Sequence, residues 1–509
     1  MILGNVEDPD NEGAERTTLD DLFRSGAARR PDALALCDPP NRFDFTDGKP
    51  RRLTYAQADR AVSAIAGRLR RLGLSTDTMV GLQLPNTVES VLTLLGVLRA
   101  GLIAAPLPLL WRRADAAAAL NRIGGKAFIT ASRVGSINHC DIAMHVAADV
   151  FPIRYVCSFG DGLADGVIPL DDMLGPEPLM DPTEPQERRG NPAAHIAAVT
   201  FELTPGGLAA VARSHAELIA GGRAVRLESG LPEEAVILTS CGSSSFAGLS
   251  AGIVPWLLCG GTLSLHHPFD AAAFARQFRQ DRCDTVVLPG ALVAAVETAG
   301  LLPAAQLRNV VAVWRTPERL ANAIAWPHPQ IRMVDVQAFG EAAVICSRRT
   351  PSGEPAEIPL GLVFASRNNA SGPMVAETMV TPTGTLAIRG PMVPRHPFPP
   401  GADRARVPNM RPDELGFVDT HYPCRADHDH GVAQVTGPPA GIVSVGGYRF
   451  RMDELQNLAD KMACQALVTA LPDALAGHRL AGRALDRRSV RQALDAMGVN
   501  PLLCQAFPA

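Results

Sequence analysis

Apolar residues along this chain follow two alternating patterns, one typical of amphipathic helices and one typical of short buried strands. They recur at helical spacing over residues 54–72, and Gly73 stands at the expected C-cap. A strand is then predicted over 79–84, a helix over 87–100 and a strand over 102–107. Further strands are predicted over 126–131, 154–158, 194–201, 235–239, 262–265, 285–288 and 310–313. The alternation of strands and helices predicts an α/β fold.

The pattern changes in the last quarter of the chain. Short β segments are predicted after Thr383, and a stretch rich in proline and arginine covers residues 394–412. A second, smaller unit is predicted to begin near Gly437. We therefore expect a large domain over residues 1–436 and a small domain over 437–509.

Composition and charge narrow the class of protein. The 509 residues are 47% hydrophobic and 20% charged, which is typical of a globular chain of several domains. The 48 cationic residues and 52 acidic ones give a net charge of -4, so no basic field for nucleic acid is expected. The apolar stretch over 91–111 is interrupted by Arg99, Gly101 and two prolines, which argues against a membrane span. With no secretory leader pattern and no C-x-x-C pair, we expect a cytoplasmic protein.

Short motifs distributed along nearly the whole chain resemble the AMP-binding, adenylate-forming superfamily. This superfamily includes acyl- and aryl-CoA synthetases, peptide-synthetase adenylation domains and luciferases. The matching segments occur in the family's order, and they are T54-Y-A-Q, G81-L-Q-L-P-N, G96-V-L-R-A-G, V211-A-R-S-H, S245-F-A-G-L, F269-D, F339-G, G384-T-L-A-I-R-G-P, L415-G-F-V-D and G446-G-Y-R-F. The resemblance implies a large multi-sheet α/β N-terminal domain followed by a small, truncated α+β C-terminal domain.

The resemblance also implies a chemistry, in which a carboxylate attacks the α-phosphate of ATP and the acyl group then passes to a thiol. In the family the phosphate loop reads T-S-G-T-T-G-x-P-K-G. Here Thr204 and Gly206 match that loop, but Glu202 replaces the serine and Ala209 replaces the lysine. Pro205 removes a backbone donor as well. We expect a poor phosphate loop, because an anion stands where phosphate oxygens would lie.

Three further family positions that contact the nucleotide or its metal ion are altered. Phe339 and Gly340 stand at the adenine-stacking Tyr-Gly pair, whereas alanine replaces the metal-binding glutamate. Glu341, two positions earlier, is either a substitute for that glutamate or an ordinary loop carboxylate. Glu414 stands at the ribose-binding aspartate, with Asp413 as its competitor. ATP and Mg²⁺ are therefore implied by resemblance only, and we expect weak binding.

The family's hinge and its C-terminal lysine are also altered. The hinge motif becomes Gly437-Pro438-Pro439, which lacks the arginine that contacts the nucleotide. Two prolines are expected to stiffen the hinge because each fixes φ near -65°. No lysine follows Lys461, so we expect a small domain that lacks the terminal lysine motif.

The resemblance places an acyl or aryl pocket at the carboxyl ends of predicted parallel strands. Its expected lining is Ser245, Phe246, Gly248, Trp314 and Ala338. Trp314 stands where the family has a small glycine-rich turn. It either shortens the pocket or fills core volume, and the sequence leaves both alternatives open.

Two other clusters of reactive residues give no assigned site. The segment from Cys424 to His430 has metal-like spacing but lacks a second ligand cluster. The serines over 240–245 lack the G-x-S-x-G elbow of a nucleophile. No metal ligand and no catalytic residue is predicted.

Two classes of function remain. One is an active ATP-dependent acid–CoA ligase or acyl-adenylate-forming enzyme that works through substitute residues or a partner subunit. The other is a catalytically impaired homologue that binds a small carboxylic acid, an acyl-AMP, a CoA-type ligand or a protein partner. Because several independent parts of the reaction machinery are altered, we favour the second class.

Overall fold

The computed structural model describes residues 16–175, 186, 190–303, 305–365, 372–395, 398, 408, 410–462 and 465–508. Its helices are α1 (Leu19–Arg29), α2 (Tyr55–Arg71), α3 (Val88–Arg99), α4 (Arg113–Ile123), α5 (His139–Asp149), α6 (His215–Ser229), α7 (Phe246–Gly248), α8 (Val254–Cys259), α9 (Ala271–Gln280), α10 (Gly290–Thr298), α11 (Met452–Asp460), α12 (Arg487–Met497) and α13 (Pro501–Cys504).

The strands are β1 (Leu34–Cys37), β2 (Arg52–Thr54), β3 (Met79–Gln83), β4 (Ile103–Pro106), β5 (Ala127–Ala131), β6 (Arg133–Val134), β7 (Ile137–Asn138), β8 (Tyr155–Phe159), β9 (Ile168–Pro169), β10 (Ile196–Thr204), β11 (Gly207–Ser214), β12 (Val236–Thr239), β13 (Thr262–Leu265), β14 (Thr285–Pro289), β15 (Asn309–Trp314), β16 (Arg332–Phe339), β17 (Ala343–Arg348), β18 (Ile358–Pro359), β19 (Gly361–Phe364), β20 (Met374–Val380), β21 (Thr385–Arg389), β22 (Val418–Asp427), β23 (Val432–Val435), β24 (Ile442–Val445), β25 (Tyr448–Arg451), β26 (Leu467–Asp473) and β27 (Gly477–Arg483).

Two large sheets, both mainly parallel, form the body of the molecule. One has the order β17-β16-β15-β14-β12-β13-β1-β2, and the other has the order β11-β10-β4-β3-β5-β8-β9. One continuous apolar core joins both sheets and the helices that pack on them, including α2, α3 and α6. This arrangement confirms the predicted α/β fold, since buried parallel strands consist of near-continuous apolar runs.

The predicted helices and strands of the body agree closely with the observed ones. The helix predicted over 54–72 is α2, and the hydroxyl of Thr54 caps it by accepting a hydrogen bond from the amide of Gln57. The amide N–H of Thr54 donates in turn to the side-chain oxygen of Gln57, which completes a capping box. The β-rich region begins earlier than predicted, at Ile358 rather than after Thr383. Its six-stranded sheet has the order β18-β23-β22-β21-β20-β19.

A small unit with its own core follows that sheet. Strands β25, β24, β27 and β26 form a four-stranded sheet, and α11, α12 and α13 pack with it around residues such as Phe450, Val490 and Phe507. Gly437 lies between β23 and β24, and we propose the domain boundary there. No helix in the described ranges has the length and apolar character needed to cross a membrane.

The small domain is hydrogen-bonded to the large one at separate points. The amide of Leu110 donates to the Tyr448 hydroxyl at 3.3 Å, and the amide of Ala114 donates to the carbonyl of Gly498 at 2.9 Å. Arg319 donates to the carbonyl of Leu475 at 3.0 Å. These contacts position β25, which bears Arg449, against the candidate site.

Candidate functional site

Three cavities formed by described residues lie where the small domain meets the large one. Cavity A has a volume of about 490 Å³, cavity B about 630 Å³ and cavity C about 180 Å³. Cavity A is lined by segments that follow β3, β12, β14 and β15, together with the loop between β24 and β25. Ligands of parallel α/β sheets bind at these carboxyl ends, so cavity A has the expected position of a binding site.

Three of the five predicted pocket residues line cavity A. Ser245, Gly248 and Trp314 do so. The Ser245 hydroxyl also accepts a hydrogen bond from the amide of Gly248 at 3.1 Å and thereby caps α7. Phe246 is instead fully buried beneath the guanidinium of Arg213, and Ala338 lines cavity B.

Trp314 combines a cavity-facing position with core packing. Its side chain is buried, and its indole N–H donates to Oδ1 of Asp335 at 2.8 Å. Asp335 is bound on its other oxygen by Arg349 at 2.8 Å. The ring lies so close to Gly290 that a Cβ there would be 2.2 Å from it. The indole is therefore held on one edge by a buried hydrogen bond and on its face by a residue without a side chain.

The segment predicted as a phosphate loop is a tight hairpin. Strands β10 and β11 pair as far as Thr204 and Gly207, so only Pro205 and Gly206 form the turn. Proline has no backbone donor, and the Gly206 amide donates to the Thr204 hydroxyl at 3.2 Å. That hydroxyl donates in turn to the carbonyl of Gly207 at 2.9 Å. The two turn residues thus present no unbound N–H group to an anion.

Glu202 forms a buried ion pair across the two domains. One of its carboxylate oxygens accepts from the guanidinium of Arg449, and the other accepts from the amide of Glu341 at 2.6 Å. Arg449 also donates to the hydroxyl of Tyr422. Gly340 has a φ of +58°, and a Cβ there would lie 2.0 Å from the Glu202 carboxylate. The sequence predicts an anion at this position that would repel phosphate, and in the structure that anion is bound to a cation, because a buried carboxylate requires a partner.

The pKa of Arg449 reflects this pairing. Burial is the largest single influence and would lower it, but the surrounding groups, with Glu202 first and Tyr422 and Glu341 after it, together outweigh burial, and the pKa of Arg449 lies above its usual value. Burial raises the pKa of the Tyr422 hydroxyl, so that group stays protonated. The guanidinium of Arg449 therefore stays charged, and both members of the pair line cavities B and C.

Glu341, the predicted substitute metal ligand, is buried in the turn between β16 and β17. Its Oε2 accepts the amide N–H of Phe246 at 2.7 Å. Burial raises the pKa of Glu341, and the guanidinium of Arg213 opposes that shift. Arg213 lies 3.8 Å over the ring of Phe246 and donates to the carbonyl of Ala342 at 3.0 Å. The Glu341 carboxylate thus holds the start of α7 in place.

Of the predicted nucleotide residues, all but Glu414 line cavity B or cavity C. Phe339 is buried and packs edge-on against Tyr422, with ring centroids 5.5 Å apart. Thr204, Phe339 and Gly340 line cavity C, while Gly206 and Glu341 line cavity B. Glu414 is exposed and lines none of the three cavities.

Sequence reasoning missed Arg449 and Tyr422 as site residues. Arg449 was noted only as part of the G446-G-Y-R-F motif. The available signal was the carboxylate of Glu202 within an otherwise apolar strand, since such a group needs a cation in the folded protein.

In the described part of the chain, no group of three or more His, Cys, Asp or Glu side chains is arranged to hold a metal ion. The segment from Cys424 to His430 lies at the hairpin between β22 and β23. There the carboxylate of Asp427 is bound to Nδ1 of His430 at 2.9 Å in an exposed position.

The architecture, two large sheets with a small domain over their strand ends, is that of the adenylate-forming enzymes. The amide bond synthetase of Marinactinospora thermotolerans has a TM-score of 0.70 at 18% identity, with 97% of this chain and 94% of that one covered. The o-succinylbenzoate CoA synthetase of Bacillus subtilis gives 0.68 at 13% identity, covering 94% and 92%. At these identities the likeness concerns the fold.

The family follows from the sequence match. The model of the AMP-binding enzyme family matches residues 23–320, more than half of the chain, so the chain belongs to this family. The beauvericin nonribosomal cyclodepsipeptide synthetase of Gibberella fujikuroi is 35% identical over 89 residues, which are 18% of this chain. The match spans about 2% of the length of that synthetase.

Proposed function

We propose that this chain is a ligand- or partner-binding member of the AMP-binding family that does not form acyl-adenylates on its own. The observation that carries the proposal is the engagement of Glu202. Its carboxylate lies on the strand that leads into the phosphate loop, and both its oxygens are bound within the protein. A triphosphate at this loop would have to displace Arg449 from Glu202 and would then face an uncompensated carboxylate.

The rest of the loop and the metal donors support the same proposal. The two turn residues offer a phosphate no unbound amide, and Ala209 is buried in β11 where the family has a lysine. One carboxylate oxygen of Glu341 is already bound to a backbone amide. These donors do not fit Mg²⁺ and a triphosphate, which require several free oxygen ligands and cationic or amide neutralisation.

The contacts between the domains support a fixed arrangement. The adenylate-forming enzymes, which this chain resembles, reorient their small domain between half-reactions. Here Arg449 of the small domain is bound to Glu202 and Tyr422 of the large domain, and Pro438 and Pro439 limit the backbone at the hinge. The two contacts of Arg449 and the two hinge prolines are consistent with a binding protein whose small domain stays closed over the mainly apolar cavity A.

Adenylation activity tests the proposal directly. We expect the purified protein to release no pyrophosphate above background when it is given ATP, Mg²⁺ and a panel of fatty and aromatic acids. The physical reason is that each missing stabilising group typically costs ~3–4 kcal/mol of transition-state energy, and several are missing together. Turnover within the usual ~1–10³ s⁻¹ for any acid would refute the proposal and favour an active ligase.

ATP binding provides a second, independent test. We expect weak affinity, in the millimolar range (roughly 1 mM), and no change when Mg²⁺ is added, because the part of the chain that the structure describes offers the metal no carboxylate cluster. Titration calorimetry with and without Mg²⁺ measures both quantities. A micromolar affinity that depends on Mg²⁺ would show that Glu341 or Glu414 acts as a replacement ligand after all.

A further inference from the structure

A continuous chain of hydrogen bonds runs from the wall of cavity A to the small domain. At one end the amide of Phe246, the first residue of α7, donates to Oε2 of Glu341 at 2.7 Å. The amide of Glu341 donates in turn to Oε2 of Glu202 at 2.6 Å. The other oxygen of that carboxylate accepts from Arg449 on β25. Glu341 therefore holds α7 with its side chain and Glu202 with its backbone.

The turn that bears Glu341 is held from both sides. Gly340 precedes Glu341 and has a φ of +58°, and a Cβ on Gly340 would lie 2.0 Å from Oε2 of Glu202. The guanidinium of Arg213 donates to the carbonyls of Glu341 and Ala342. Because the turn is so closely packed, a displacement of Glu202 is expected to move the backbone of Glu341 as well.

The charges along this chain of contacts also depend on one another. Burial raises the pKa of Glu341, Arg213 opposes that shift, and the nearby carboxylate of Glu202 adds to it. Burial lowers the pKa of Arg213 to about 10. Removal of Arg449 would leave Glu202 without its cation and close to a second carboxylate, and like charges in a buried site repel each other strongly. The loss of the cation would therefore act on Glu341 in addition to Glu202.

The segment that Glu341 holds forms part of the wall of cavity A. Helix α7 has three residues and continues into a π-helical turn over Leu249–Ile253. Such turns are rare in proteins and occur frequently at functional sites. Ser245 and Gly248 of this segment line cavity A, and a Cβ on Gly248 would lie 1.9 Å from the carbonyl oxygen of Gly242. A shift of α7 would therefore change the shape of cavity A.

We propose that Glu341 couples the wall of cavity A to the closed position of the small domain. Breaking the contact between Arg449 and Glu202 then loosens α7, and releasing α7 from Glu341 loosens the small domain. Glu341 is a positioning residue in this scheme, because it acts through the amide of Phe246 and through Glu202. The coupling uses Glu202, which stands where the family has a serine, so the family pattern does not supply it.

The inference goes beyond the proposed function, because it concerns how two parts of the molecule respond to each other, whether or not the chain forms adenylates. Coupling between two sites is reciprocal in free energy. Each end of the chain of contacts can therefore be disturbed while the other end is observed.

Hydrogen exchange of the whole chain, followed by mass spectrometry, makes that observation. The two segments compared are residues 242–259, which contain α7, and residues 446–455, which contain β25. Helix α2 is the reference for global unfolding, since it lies in the core of the large domain. Arg449→Met breaks the chain of contacts at the small domain, and Glu341→Ala breaks it at α7.

Two control variants lie on the same strand as Arg449. Arg451→Met removes an arginine whose ion pairs, with Asp453 and Glu454, stay within the small domain. Tyr448→Phe removes the hydroxyl that accepts from the amide of Leu110, which is a contact between the domains outside the chain through Glu341. The first controls for loss of an arginine, and the second controls for general loosening of the domain joint.

We expect Arg449→Met to raise exchange in 242–259, relative to α2, by about fivefold or more, the lower end of typical coupling between sites. Glu341→Ala should raise exchange in 446–455 by a similar factor, and neither control should change exchange in 242–259. In 242–259 the double variant should exchange less than the product of the two single effects, since either change already breaks the connection.

Unchanged exchange of 242–259 in Arg449→Met, or an equal rise in Tyr448→Phe, would overturn the inference. A rise that α2 shares would indicate global unfolding of Arg449→Met. Arg449→Lys, which keeps the charge but loses the planar fork, is then measured in its place, and absence of a selective rise in 242–259 would be equally contrary. Pyrophosphate release is measured on the same preparations, so a failure of the proposed function is distinguishable from a failure of this coupling.

Discussion

Arg449→Met is expected to lower the free energy of unfolding by about 3–5 kcal/mol, because it leaves the buried carboxylate of Glu202 without its cation. The hydroxyl of Tyr422 loses its donor in the same change. The measurement is chemical denaturation of the whole chain. The double variant Glu202→Gln, Arg449→Met should recover part of the loss, since it removes the uncompensated charge together with its partner.

A neighbouring arginine on the same strand supplies the control. Arg451 pairs with Asp453 and Glu454, both of which are exposed. Arg451→Met removes the same kind of side chain but only exposed ion pairs, so its effect on stability should be small. If the two single variants were equally stable, the pair between Glu202 and Arg449 would have no special role in joining the domains.

The parts of the fold that depend on local sequence were predictable. Helix α2 was predicted to within one residue at each end, because Thr54 and Gln57 form a capping box and the apolar positions follow one face. The parallel strands were predictable because burial on both faces produces continuous apolar runs, as in β15. The sheet that begins at Ile358 was predicted too late, since its first strands, Ile358–Pro359 and Gly361–Phe364, are short and carry little pattern.

The candidate site was less predictable because its decisive contacts join residues that are distant in sequence. Glu202 and Arg449 are separated by 247 positions, and Glu341 binds an amide 95 positions away. Motif comparison identified which family residues were altered, but it gave no information on what the altered residues bind. Glu202 illustrates the difference, since a substitution that removes a family contact also creates an ion pair between the domains.

Trp314→Gly is expected to destabilise the protein by about 3–5 kcal/mol, the usual cost of deleting a large buried aromatic side chain. The indole is buried, and its loss also removes the N–H group that donates a hydrogen bond to Oδ1 of Asp335. Chemical denaturation measures the loss. Trp314→Phe separates the two contributions, since it keeps most of the ring volume and removes the N–H group. We expect it to cost about 1.5–3 kcal/mol for the lost hydrogen bond to a charged group, because Oδ1 of Asp335 then keeps only the longer hydrogen bond from Arg349 at 3.2 Å.

Trp314→Gly also decides between the two roles that the sequence left open for Trp314. If the indole were mainly a plug in cavity A, Trp314→Gly would be nearly as stable as the wild type, and decanoate would raise its melting temperature more than that of the wild type. We expect the opposite, a large loss of stability without a gain in ligand response. The reason is that the ring is fixed by Asp335 and packs closely on Gly290, so its removal disturbs the core beneath the cavity before it enlarges the cavity itself.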